Sequence, residues 1–173
     1  MLIVNYLIWL GFVSIAVSDA REHRIPNTYL LIVLTLCLLH IFLQPDVWSS
    51  LVTAFAGGAV LFFASLVLHL VRVMAPGDVK LLGVVGFWLG WGNLMAASAW
   101  IACASVVVGL FYAALNRIRT GASIKDLITK YSLLAAYGSQ TNAIVAGKGA
   151  LEHKLRMPFA PVVVIGLALF YYF

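Results

Sequence analysis

Crossing the hydrocarbon core of a bilayer takes about 20 consecutive apolar residues as helix. This sequence supplies six stretches that reach or approach that length: 2–18, 27–44, 48–71, 81–91, 94–115 and 158–173. Backbone polar groups in lipid must be satisfied within their own segment, so such stretches fold as helices rather than open strands. The composition points the same way. Of 173 residues, 64% are hydrophobic and 10% charged, against about a quarter charged in a soluble domain. The expected fold is an all-α membrane protein, a six-transmembrane-helix bundle forming one domain over residues 1–173.

The segment 81–91 is short, and with 94–115 it forms one nearly unbroken apolar run. Lys80 precedes the run and Arg117 follows it. If basic flanks lie on one side of the membrane, the run must double back, and Gly90, Gly92 and Asn93 supply a turn. With the N-terminus outside, the inner loops are 19–26, 72–80 and 116–157. Those loops hold all 11 lysines and arginines of the chain, and the outer loops hold none. Such segregation is the signature of basic loops retained in the cytoplasm. The net charge of +5 therefore reports topology, and no nucleic-acid partner is expected. Trp48, Trp91, Tyr171 and Tyr172 fall at the opposite boundary, where interfacial aromatics belong. Within the long inner loop, 123–137 has helical apolar spacing and reads as a cytoplasmic amphipathic helix. The first ten residues carry no basic region and no cleavage site, so the first segment reads as a retained helix. Cys37 and Cys103 lie in apolar runs without Cys-x-x-Cys spacing and read as small core residues.

The chain has six carboxylates: Asp19, Glu22, Asp46, Asp78, Asp126 and Glu152. Asp19 follows the first segment directly and Asp78 sits just before the fourth, so both lie at the inner membrane boundary. Two close carboxyls cannot both ionise cheaply, and one keeps its proton while the other serves as base. That is the equipment for hydrolysing a peptide bond without a metal or a covalent nucleophile. The plainer alternative is that each is an ordinary boundary or capping residue. Gly77 removes side-chain bulk beside Asp78, and Gly83, Gly86 and Gly90 give the short helix a face suited to close packing. Lys80 is a supporting candidate, able to tune the pair, although a boundary lysine also serves topology. His40 and His69 read as satisfied packing residues. No set of ligands has metal-binding spacing, and neither a metal nor a cofactor is expected.

Three local sequences go further. Around the first carboxylate the chain reads Asp19 through Ile25-Pro26-Asn27, and around the second Ala75-Pro76-Gly77-Asp78-Val79-Lys80-Leu81-Leu82-Gly83. Before the last segment stands Met157-Pro158-Phe159-Ala160-Pro161. In that order they resemble the type IV prepilin peptidases, whose Gly-x-Gly-Asp motif holds one catalytic aspartate. Those enzymes carry the other a few residues before Ile/Leu-Pro-Asp/Asn. The resemblance implies an aspartic endopeptidase of the bacterial inner membrane with Asp19 and Asp78 as catalytic residues. Its active site would lie at the cytoplasmic face and its N-terminus in the periplasm. The partner would be a prepilin, cut between a basic leader and a hydrophobic helix. The short form is similar to the branch serving Flp-type (tight-adherence) pili. Larger relatives carry a cysteine-bearing region ahead of the first helix and methylate the new N-terminus; here no methyltransferase activity is expected. Ala75-Pro76 departs from the usual first glycine, which keeps open an alternative, a non-catalytic component of a pilus or secretion assembly that retains the fold.

Overall fold

The computed structural model describes residues 2–22, 24–120 and 158–173, and all of its regular elements are helices. They are α1 (Leu2–Glu22), α2 (Asn27–Phe42), α3 (Val47–Leu70), α4 (Pro76–Thr120) and α5 (Phe159–Tyr172). By length and composition α1, α3 and the stretch Pro76–Leu115 of α4 are long and apolar enough to cross a membrane, while α2 and α5 are shorter apolar helices. Residues 1–106 with 158–173 form one compact unit and 107–157 a second. Of the second unit, 107–120 are described and continue α4 as helix. The amphipathic helix expected at 123–137 lies outside the described residues.

The long apolar run does break, and at one residue. Gly90 has φ 68° and ψ 175°, a region in which essentially only glycine is found because a Cβ would collide with the backbone. Contacts with α5 show what the break does. Trp88 stacks on Tyr171 near the end of α5, while Ile101, further along the chain, meets Gly166 earlier in α5. A straight helix would carry Ile101 about 20 Å beyond Trp88, past the end of α5. The chain therefore reverses at Gly90, and within the first unit α4 is two antiparallel rods, 76–89 and 91–106. Gly92 and Asn93, expected to share the turn, lie inside the second rod, since one glycine in this conformation suffices.

Lipid tails are as apolar as leucine, so helices in a membrane associate chiefly by close packing. The core is built from Ile8, Phe12 and Ile15 of α1, Leu30, Val33 and Cys37 of α2, Leu81 and Val85 of the first α4 rod, Ala97 and Ile101 of the second, and Val163 and Leu167 of α5. On each helix these recur at intervals of three or four residues, the stripe that turns one face inward. Leu2, Ile3, Tyr6, Leu10, Phe55 and Phe63 remain exposed in the isolated chain, as a lipid-facing surface requires. The first α4 rod meets α3 through glycines. A Cβ on Gly86 would stand 2.5 Å from the Gly57 carbonyl oxygen, and one on Gly58 would stand 3.2 Å from that of Gly83. Cys37 is in the core, but Cys103 faces outward, so the second cysteine is not the core residue its apolar surroundings suggested.

Candidate active site

Helix α1 does not end before Asp19 but runs on to Glu22, placing this carboxylate in its last turn. The sequence reading ended the helix at residue 18 because polarity begins there, yet 19–22 hold no helix breaker and the backbone continues. The position is electrostatically awkward. A helix C-terminus carries about half a negative charge and favours cations, and Asp19 is also buried, with 6% of its surface exposed. Burying a carboxylate costs several kcal/mol unless hydrogen bonds replace its water.

The compensation comes from α5. The Ala160 backbone N–H donates to Asp19 Oδ2 at 2.9 Å. Pro158 occupies the N-cap position of α5 and provides no side-chain cap, and Pro161 has no N–H to offer. Asp19 thus acts as an N-cap reaching across from another helix, its negative charge against the positive end of α5. Ala160 has no exposed surface, and its small side chain permits the close approach. The reading from sequence missed this backbone group. Its signal was the pair of prolines bracketing Phe159 and Ala160.

Helix α4 begins at Pro76 rather than at Leu81. Asp78 therefore lies within the first turn, where a negative charge is favourable. The Ala75 carbonyl accepts from the N–H of Asp78 at 3.1 Å and of Val79 at 3.4 Å, which makes Ala75 the cap and Pro76 the first helical residue. Proline suits that position: the N–H it lacks would have no partner inside the helix, and its φ is already helical. The departure Ala75-Pro76 builds an ordinary helix start.

Two contacts tie this helix start to the chain following Asp19. A Cβ on Gly77 would lie 3.5 Å from Ile25 Cβ, ordinary contact, so the glycine packs on Ile25 without being needed to relieve a clash. Lys80 Nζ donates to Asn27 Oδ1 at 3.0 Å. The end of α1, the start of α4 and the start of α5 therefore gather at one end of the bundle, and they carry the three motifs singled out above. Asp78 is half-buried, Lys80 exposed. Glu22 is exposed and Asp46 lies at the N-cap of α3, after α2 has crossed to the other end; Asp126 and Glu152 lie outside the described residues.

A gathering of this kind can hold a peptide bond against two carboxyl groups. Comparison with known proteins points to a peptidase. A family model for the type IV leader peptidases matches residues 6–117, a span that contains both Asp19 and Asp78. No curated protein and no solved structure matches the chain. With almost two thirds of its length covered by that model, this all-helical chain belongs to the type IV leader peptidase family.

Proposed function

We propose that the chain is a membrane-embedded aspartic endopeptidase that removes the leader peptide of Flp-type prepilins at the cytoplasmic face of the bacterial inner membrane. Asp19 and Asp78 share a proton and hold a water between them. The ionised carboxyl takes a proton from that water as it attacks the scissile carbonyl carbon, and the protonated carboxyl donates to the carbonyl oxygen. Collapse of the tetrahedral intermediate breaks the C–N bond, and the departing nitrogen takes up a proton from the pair. The observation that carries this reading is Asp19. It is buried in the last turn of a helix whose dipole disfavours it, and is held there by the Ala160 N–H. Within α1 nothing favours a carboxylate there; capping α5 does, and such conflicts between local and global preference gather at functional sites.

The topology supports it independently. One domain over 1–173 crosses six times, from a periplasmic N-terminus, with the reversal at Gly90 supplying the fourth and fifth crossings. All 11 basic residues then share the side on which Asp19 and Asp78 lie. Gly77 keeps side-chain bulk away from Asp78, and the Lys80–Asn27 bond braces the start of α4 against the start of α2. The non-catalytic alternative drew on Ala75-Pro76, which forms a regular helix start. Incubating the purified protein in lipid with a prepilin and sequencing the new N-terminus tests the proposal. Cleavage between the basic leader and the hydrophobic helix is expected; an intact prepilin in lipid that supports insertion would overturn it.

A further inference from the structure

A second site lies at the other end of the bundle. A cavity of about 390 Å³ is framed by the start of α1, the end of α2, the start of α3 and the Gly90 break. It lies within the first compact unit. Asn5, which lines it, precedes Asp19 along α1 by about 21 Å of helix, so this cavity is not part of the peptidase site. Its size falls within the range of small-molecule sites, about 300–1,000 Å³.

The lining is polar in a helix bundle otherwise poor in polar side chains. Three carboxamide residues (Asn5, Gln44, Asn93), three hydroxyl residues (Ser50, Thr53, Tyr171) and His40 line it, with no Asp, Glu, Lys or Arg among the lining residues. Convergent polar groups on a concave surface are what fix the orientation of a small ligand. Among the described residues, His40 Nδ1 is a buried side-chain polar atom without a hydrogen-bond partner. His40 is thus not the satisfied packing residue its sequence context suggested, and its ring is part of the cavity wall.

The hydrogen-bonding set narrows the ligand. The Ser50 hydroxyl donates to Gln44 Oε1 at 2.6 Å, which fixes the carboxamide and leaves its two N–H groups to donate elsewhere. Thr53 spends its proton on the carbonyls of Ser49 and Ser50, leaving its oxygen to accept. Asn93 turns its N–H toward the Leu89 carbonyl at 3.5 Å, leaving its own carbonyl oxygen to accept. The wall therefore offers both donors and acceptors and carries no formal charge. An anion would ask for donors alone and a cation for acceptors; groups that both give and accept, such as hydroxyls, match the mixture. Cys37 and His40 share the wall, but among the described residues no third metal ligand joins them. The remaining wall is aromatic, with Trp88 and Tyr171 stacked at 5.2 Å. Aromatic surface beside carboxamides suits a ligand with both C–H and hydroxyl groups.

We infer that this cavity is a binding site for a neutral polyhydroxyl ring, a sugar, supplied either as a free saccharide or as the headgroup of a glycolipid in that leaflet. The inference does not depend on the peptidase reading.

The test uses the full chain, exchanged out of sugar detergents into phosphatidylcholine nanodiscs. Maltose is the free-saccharide probe, and nanodiscs containing monoglucosyl diacylglycerol are the lipid probe. Binding to the native state raises Tm. A rise of a few degrees with maltose, or with the glycolipid alone, supports the site and identifies the source. In His40→Phe and Gln44→Leu the response should weaken at least about tenfold in the concentration required, while both variants elute as single species. The inference is overturned by no response to either probe, by equal responses in both variants, or by phosphatidylglycerol stabilising as strongly as the glycolipid.

Discussion

Asp19 and Asp78 are both acidic residues at helix ends, yet they sit in opposite local fields. Asp78, in the first turn of α4, would be stable there on electrostatic grounds alone. Asp19 is stable only because α5 starts beside it. Substituting asparagine separates catalysis from packing, because a carboxamide oxygen still accepts from the Ala160 N–H but cannot serve as a base. Asp19→Asn and Asp78→Asn should each lower leader cleavage by about 10²–10⁴-fold with unchanged thermal unfolding. Asp19→Ala also strips the cap from α5 and should cost about 1 kcal/mol of stability besides. Retained cleavage in either asparagine variant would remove that residue from the chemistry. The Lys80–Asn27 bond is exposed, and such bonds are worth little singly. Lys80→Gln should therefore reduce cleavage by less than about tenfold, as read from initial rates.

At the scale of elements, the contact between α3 and the first rod of α4 depends on backbones meeting without side chains between them. The neighbour of a Cβ on Gly86 would be backbone, the Gly57 carbonyl, which cannot swing aside as a side-chain tip can. Gly86→Ala should push the helices apart and destabilise the bundle by about 1–3 kcal/mol, measured as a fall in Tm. Gly92 has nothing within 4 Å of its Cβ position. Gly92→Ala is expected to be neutral or to stabilise by up to about 1 kcal/mol, the gain in helix propensity. Equal effects at the two positions would mean that the glycine contact is not what joins α3 to α4. Glycine spacing was visible in the sequence, but its partner was not: Gly83 and Gly86 have only to avoid bulk, and any small face would satisfy them.

For the whole molecule, topology follows from charge placement and can be read without reference to the site. Alkaline phosphatase, which is active only outside the cytoplasm, should be active when fused after Gln44 or after Trp91 and inactive after Thr120. Activity after Thr120 would mean that the chain fails to reverse at Gly90. The reversal matters to the site because it returns the chain toward the end from which α5 must start, and α5 carries the N–H that holds Asp19.

Sequence alone determined the solvent of this protein and the number and rough extent of its apolar segments. Hydrophobic length and charge asymmetry are properties of the chain and need no contacts to be expressed. It also marked Asp19, Asp78 and the proline-rich start of the last helix, since motifs are local. Tertiary structure decided that Asp19 caps another helix, that Gly57 lies under Gly86, and that side chains from separate helices enclose a polar cavity around His40. Each of these depends on which helix faces align. Alignment is set by packing among faces that are nearly equivalent in apolar character, so no single segment contains the answer.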